Sequence, residues 1–594
     1  MATALSGVVF AASAYAAEAE EAALRVEEYL ADLGPNAALA AFLEQELDHA
    51  TNADQKSRLA TRLASLYAEL IRECEDDELR GVYEARSIGL LDRVPGAATP
   101  ELRLELALAS YLRVRETAER ARYSIVPPER LKGAADRMEA LAQRFGSIAD
   151  VAQRRVDFLE QRADSAPGFG GEVLRLARQQ QSRARFLSGY AWSYAAVLDD
   201  SREAADRASL ALGRITNPPD GPASPDDAPD QLLRVGYIAE AAVGIAFAEM
   251  VQERHGEALR WLGRVESVED AKAHLGDALV FARFDVLVDD DRWSGAEGVF
   301  DSYLQDRVGS LDVRSARFFA SAAIRESTGR GDASRDRIRD ESLGELVAMG
   351  EIGHVMELVS EATPGQLGVG SFISRYARGL ASYSEARETH EFELAARGVA
   401  LNQRFDAPAG REAREGYARA AEMLDEALVM VEDERFKRAR PNTVLLLAEC
   451  ELLGGDGTVK SLLGAAKRFE EASLLLEDVG LIQAARSALW RAVTIAEQAS
   501  EDGGSEEIAY RDAVTALYAR SYPQSIGSAR VTVRLTDRDE LDLEEAIERL
   551  LDVPANSSER QFAEREVSRL AHRAFRESIA GRRAWAAERF VRLS

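Results

Sequence analysis

Apolar side chains recur along most of the chain at spacings of three and four residues, the period that gathers them on one face of an α-helix. Residues 57–71 (SRLATRLASLYAELI) carry such a stripe at Leu59, Leu63, Leu66 and Leu70. A second helical stretch runs from Leu79 to Leu91. Between the two lies the acidic turn Glu73-Cys74-Glu75-Asp76-Asp77-Glu78, and Pro95 closes the pair. Two short helices joined by a tight turn cannot bury their apolar faces alone and must stack on neighbours. The turn chemistry repeats. Leu198-Asp199-Asp200-Ser201-Arg202 and Val288-Asp289-Asp290-Asp291-Arg292 each end one helix and open the next, with Asp placed to cap the following helix. Neither turn has the alternating oxygens, mid-loop Gly and terminal Glu of an EF-hand. Two segments depart from the helical pattern. Residues 217–230 (NPPDGPASPDDAPD) hold five Pro and four Asp and predict an exposed loop or linker. Ala529–Leu535 (ARVTVRL) alternates β-branched with polar residues and predicts a strand or extended chain, with helical pattern resuming near Leu543.

Within the helices a finer signature recurs: a small residue, a large apolar residue four later, and Ala three after that. Its clearest copies are Tyr417-x2-Ala420-x3-Leu424-x2-Ala427 and Ala465-x3-Phe469-x2-Ala472. Looser copies are Trp293-x2-Ala296-x3-Phe300 and Tyr510-x2-Ala513-x3-Leu517, where Arg520 stands in place of the last Ala. Small residues on such a face let a neighbouring helix approach, and the large one fills the gap beside it. These copies resemble the second helix of the tetratricopeptide repeat. The resemblance implies a right-handed superhelix whose concave groove binds peptides or proteins. Some members of that family hold a partner's terminal carboxylate with Asn and Lys. Both are scarce here: Asn occurs at 36, 52, 217, 402, 442 and 556, and Lys at 56, 132, 272, 437, 460 and 467.

The expected fold is therefore all-α: a right-handed α-solenoid of antiparallel helical hairpins, about a dozen or more at ~34–45 residues each. Residues 17–216 would form a first repeat array and 231–523 a second, with 217–230 as a linker between them or as a loop protruding from one continuous array. Residues 524–594 would hold a short extended segment and Arg-rich terminal helices. Residues 1–16 have two readings. Ala4–Ala16 resembles the apolar core and cleavage site of a secretory signal peptide, which implies export, although the first basic side chain is Arg25. The other reading is an Ala-rich first helix in a cytoplasmic protein. No later segment reaches the ~18 consecutive apolar residues that a membrane-spanning helix needs.

Composition narrows the function classes. A formal net charge of −28 opposes binding to nucleic acid, which rests on neutralising phosphates. The few Lys among 74 basic residues, with abundant Ala, match a GC-rich bacterial gene. Cys74 and Cys450 read as two small buried residues. The six His residues share no metal-ligand spacing, and neither His-Glu-x-x-His nor Cys-x-x-Cys occurs, so no metal or cofactor is expected. Gly454–Ser461 (GGDGTVKS) approaches a phosphate-binding loop, but Val459 stands where that loop needs Gly, which leaves a turn between helices. Without a catalytic constellation, the leading expectation is a non-catalytic scaffold or adaptor that binds a protein or peptide. The alternative is a helical-toroid enzyme acting on a polysaccharide. Two groups are candidate partner-binding residues. Arg565, Arg569, Arg573 and Arg576 share one helix face, with Arg582 and Arg583 beyond, and would meet an acidic partner or anionic surface, or else face solvent or pair with the chain's own acidic surface. Phe186, Tyr190 and Tyr194 form an aromatic stripe at i, i+4 and i+8, with Arg185 beside it and Trp192 nearby, fit either for core packing or for lining a groove.

Overall fold

The computed structural model describes residues 36–74, 76–94, 99–165, 171–217, 224–307, 309–326, 332–360, 367, 371–399, 408–430, 434–522, 527–537, 541–553, 560–577 and 580–593. The segment read as a signal peptide lies outside them. The described residues are helical throughout, with no strand. They form two compact units that divide between Asp306 and Arg307. The first unit comprises α1 (Asn36–His49), α2 (Ala53–Glu73), α3 (Asp77–Arg93), α4 (Pro100–Arg120), α5 (Pro128–Ser165), α6 (Gly171–Asp199), α7 (Arg202–Thr216), α8 (Asp230–Leu233), α9 (Gly236–Val251), α10 (His255–Glu266), α11 (Glu269–Leu275), α12 (Asp277–Asp289) and α13 (Trp293–Asp306). The second comprises α14 (Val313–Arg325), α15 (Ala333–Ala348), α16 (Ile352–Ser360), α17 (Phe372–Ala396), α18 (Arg411–Met430), α19 (Arg440–Gly454), α20 (Val459–Asp478), α21 (Ile482–Glu501), α22 (Ser505–Ser521), α23 (Ser528–Asp537), α24 (Leu543–Leu551), α25 (Arg560–Glu577) and α26 (Ala580–Leu593).

Most helices pack chiefly on their sequence neighbours, so each core is a run of adjoining clusters. The small–large–small signature works as its spacing predicts in three copies. Ala420, Leu424 and Ala427 are buried on α18, as are Ala465, Phe469 and Ala472 on α20 and Trp293, Ala296 and Phe300 on α13. Close approach is measurable at Gly379 of α17, where an added Cβ would stand 2.8 Å from Leu424 Cγ. The copy at Tyr510 differs. There Val514 and Tyr518 are buried, while Ala513 is exposed and Leu517 is only half-buried. A shift of one residue turns a helix face by about 100°, and the larger Val and Tyr win the core.

Three expectations are corrected. Residues 529–535 are not extended: they belong to α23, which buries Ala529 and Val531. A lone strand leaves its backbone groups unpaired, whereas a helix satisfies them internally. Packing against α24 and α25 then outweighs β-propensity. Next, the Pro/Asp-rich stretch does not separate two arrays. Its described part forms a short 3₁₀ turn at Pro225–Asp227 and then opens α8. The helices on either side meet directly: Ser193 Oγ of α6 donates to the Gly244 carbonyl of α9 at 3.1 Å. Finally, the aspartate turns do end one helix and open the next, but their aspartates close the first helix and do not cap the second. Asp200 and Asp291 take left-handed backbone with φ of 50° and 52°. The following N–H returns to the carbonyl five residues back, Ser201 to Ala196 at 3.0 Å and Arg292 to Leu287 at 2.8 Å. This is the Schellman closure. The cap of α7 is Ser201, whose side chain accepts from the Ala204 N–H.

Candidate ligand-binding cavity

The second unit contains a cavity of about 900 Å³, within the range of small-molecule and peptide sites. Its walls come mainly from three alternate helices, with Leu462 added from α20. α17 contributes Tyr383, Arg387, His390, Glu391 and Leu394, which its 3–4 spacing aligns on one face. α19 contributes Glu449, Leu452 and Leu453. α21 contributes Arg491, Thr494, Ile495 and Gln498. Arg414 and Tyr417 enter from the first two turns of α18, with Pro408 and Ala409 just before it.

The rim includes Gly455, Asp456 and Gly457, part of the near phosphate-binding loop of the sequence. It is a turn between α19 and α20. Gly457 has φ 75°, Asp456 Oδ1 accepts from the Thr458 N–H at 3.0 Å, and Thr458 caps α20. The loop meets helix on both sides, so the strand-to-helix setting of a phosphate cradle is missing.

Aromatic rings hold the α17 wall in place. The Tyr383 and Tyr417 rings lie 5.8 Å apart, and His390 meets Tyr417 edge-on at 6.0 Å. His390 is buried, its Nδ1 3.3 Å from the Tyr417 hydroxyl. The Tyr383 hydroxyl donates to Glu449 Oε2 at 3.1 Å. Burial, reinforced by the Glu449 charge, pushes the Tyr383 phenol well above its ordinary value. Burial likewise pushes Tyr417 up to about 12. Both phenols therefore stay protonated at neutral pH and act as hydrogen-bonding groups. Cys450, behind the α19 wall, is buried, and burial raises its thiol well above the normal range, so it is not primed as a nucleophile.

Charges in the wall are of both signs but unequally engaged. Glu391 pairs with Arg387 Nε at 3.3 Å. Glu449 takes the Tyr383 hydroxyl and lies 3.6 Å from Arg491. Arg414 makes no ion pair within 4.0 Å among the described residues, and its Nε is buried without a hydrogen-bond partner. No group of three or more metal-ligating side chains exists among the described residues.

The sequence candidates lie elsewhere. Arg185, Tyr190, Trp192 and Tyr194 are on α6 in the first unit. Trp192 belongs to the core and has the Arg207 guanidinium 4.7 Å above its ring. Arg185 donates to Gln153 of α5 at 2.7 Å. Tyr190 packs on Phe186 and Tyr194 at ring distances of 5.3 and 5.5 Å. The Tyr194 hydroxyl donates to the Glu119 carboxylate. Arg565, Arg569 and Arg576 are exposed on α25 and Arg573 is half-buried. Arg569 pairs with Glu566 at 2.6 Å, and the Arg583 guanidinium lies 5.8 Å from the Phe575 ring. The side chain of Arg582 lies outside the described residues.

Sequence reasoning singled out Tyr417 for packing but missed Tyr383, Arg387, His390, Arg414, Glu449 and Arg491 as one site. The spacing of Tyr383, Arg387, His390 and Leu394 was available as a face. A face of such mixed character reads as solvated, and only the fold brings α19 and α21 opposite it. No family model matches the chain, and no curated protein matches it.

Proposed function

We propose that this chain is a non-catalytic scaffold or adaptor, and that the second-unit cavity receives an extended segment of a protein partner. The observation that carries this reading is a wall built mainly from α17, α19 and α21, every second helix of a run that packs neighbour on neighbour. Alternate helices share a surface when hairpins stack in a repeat. On this reading the helices form antiparallel hairpins wound into a right-handed solenoid, similar to tetratricopeptide repeats. The apolar side chains Leu394, Leu452 and Ile495 supply contact area, and the Tyr, Arg and Gln side chains supply hydrogen bonds for a peptide backbone. No helix among the described residues is long and apolar enough to cross a membrane. We take the protein to be exported; sequencing the mature N-terminus tests that.

Photo-crosslinking tests the binding reading. Benzoylphenylalanine replaces Thr494, exposed at the cavity, in one variant and Gln561, exposed on α25, in a control. The expected result is an adduct with one polypeptide, mapped to one short segment, from position 494 and not from 561. The same adducts from both positions, or none from 494, would sink it.

A further inference from the structure

The cavity wall has more hydrogen-bond donors than its own acceptors use. Each wall carboxylate has a donor at hand: Arg387 for Glu391, the Tyr383 hydroxyl for Glu449, and the Thr458 N–H for Asp456. The guanidiniums are less engaged. Arg387 offers its Nε to Glu391, and Arg491 stands 3.6 Å from Glu449, beyond a hydrogen bond. Arg414 acts on the exposed rim carboxylate Asp456 by its charge, but it has no ion pair within 4.0 Å among the described residues, and its Nε is buried and unpartnered. A guanidinium carries five N–H donors and stays charged at any physiological pH. Taking such a group partly out of water costs free energy unless an anion compensates it. Arg414 also sits in the first turn of the twenty-residue helix α18, where the helix dipole adds positive potential.

We propose that the segment held in this cavity is acidic, with side-chain carboxylates of an extended peptide anchored by Arg414 and flanked by Arg387 and Arg491. The inference rests on the peptide-binding reading above and adds the charge of the ligand. Three cations on three different helices suit several carboxylates spaced along a strand better than the single charge of a chain end. The phenols of Tyr383 and Tyr417 remain protonated and add neutral hydrogen bonds without repelling an anion.

The test uses the full chain and two pools of fluorescein-labelled, C-terminally amidated decapeptides. One pool has randomised Asp, Glu, Leu, Phe and Ser; the other has Asn and Gln in place of the acids. Fluorescence polarisation should show the acidic pool binding at least about tenfold more tightly, with the advantage shrinking as salt rises. Arg414→Gln should remove about tenfold of that affinity, and Arg414→Lys should restore part of it. The triple variant Arg565→Gln, Arg569→Gln, Arg576→Gln should leave it unchanged, and thermal melts check that each variant folds. If the two pools bind alike, or if only the α25 variant loses binding, the acidic-ligand inference is overturned while peptide binding stands. If neither pool binds, both readings fall.

Discussion

Each unit holds a tyrosine that donates to a glutamate beside arginines, and the two settings differ in what surrounds them. In the first unit, Tyr194 donates to Glu119, Arg115 lies 3.4 Å from the same carboxylate, and Arg122 pairs with Asp285 at 2.5 Å. The Arg122 guanidinium also covers the Phe247 ring at 5.4 Å. In the second unit, Tyr383 donates to Glu449, but Arg387, Arg414 and Arg491 face a cavity of about 900 Å³. The same residue types thus tie helices together in one place and leave donors for a ligand in the other. What separates structure from site is whether the donors are used up within the fold.

The sharpest way to break this comparison is to remove a carboxylate from the closed cluster. The Arg122 and Asp285 side chains are 18% and 14% exposed. Asp285→Ala leaves a largely buried guanidinium without its main counter-charge, a change that costs about 3–5 kcal/mol when the ion is desolvated. The first unit should lose roughly that much stability, read by urea denaturation with hydrogen exchange followed in α4 and α12. Arg414→Gln removes an unpaired cation from the open cluster and should leave stability within about 0.5 kcal/mol. Equal losses in the two variants would erase the distinction.

A smaller effect is expected from the two hydroxyls. Tyr194→Phe takes a donor from Glu119, a carboxylate among buried rings, and should cost about 1.5–3 kcal/mol, as for a hydrogen bond to a charged group. Tyr383→Phe should cost less, because Glu449 can turn to water in the cavity or to Arg491. Its larger effect should be on ligand affinity. Paired denaturation and peptide titrations on both variants would show the crossed pattern, and a stability loss without an affinity loss at Tyr383 would refute it.

The sequence led toward the closed cluster for a physical reason. Aromatic residues at Phe186, Tyr190 and Tyr194 stand four apart on one helix, so they are visible as a stripe. The cavity draws on all five helices from α17 to α21, and no local spacing reports a surface shared by residues up to 115 positions apart. The all-helical class was legible from the 3–4 period, and the face of α18 was legible from Tyr417, Ala420, Leu424 and Ala427. The segment 529–535 was not, because its β-branched residues fit either period and packing decides. Nor was the role of Asp200, because an aspartate between two helices suits a cap on one or a left-handed turn on the other.

Those turns carry the comparison to the backbone. Three Schellman closures in the first unit place Asp200, Glu253 and Asp291 at φ 50–59°, and three in the second place Gly350, Gly398 and Gly480 at φ 72–80°. A left-handed residue with a Cβ costs roughly 1 kcal/mol more than Gly there. Asp291→Gly should therefore stabilise the first unit by up to about 1 kcal/mol. Gly480→Ala, with nothing within 4 Å of the added Cβ, should destabilise the second by about 1 kcal/mol. Chemical denaturation of the two single variants checks the opposite signs. If Gly480→Ala proves neutral, left-handed strain is not what separates these turns.

The subtlest contrast is in pH dependence. Burial opposes ionisation of Glu119, but the Tyr194 hydrogen bond and the Arg122 and Arg115 charges outweigh it and hold its pKa below the usual range. A depressed carboxylate contributes stability that is fully present above its unfolded pKa, about 4.3 for Glu, and is lost as pH falls through the folded value. In the second unit, burial raises Glu451 above the ordinary range despite Arg468 at 3.4 Å. Its ionised form therefore opposes folding at neutral pH, and that cost is relieved as pH falls toward the unfolded value. Glu119→Gln should accordingly destabilise the first unit at pH 7, with the difference from the parent narrowing below about pH 4. Glu451→Gln should instead gain stability relative to the parent as pH rises above about pH 4, because the charged penalty is gone. Stability measured from pH 3 to 7 on both variants reads these two slopes, and a common sign would show that the two units handle buried carboxylates alike.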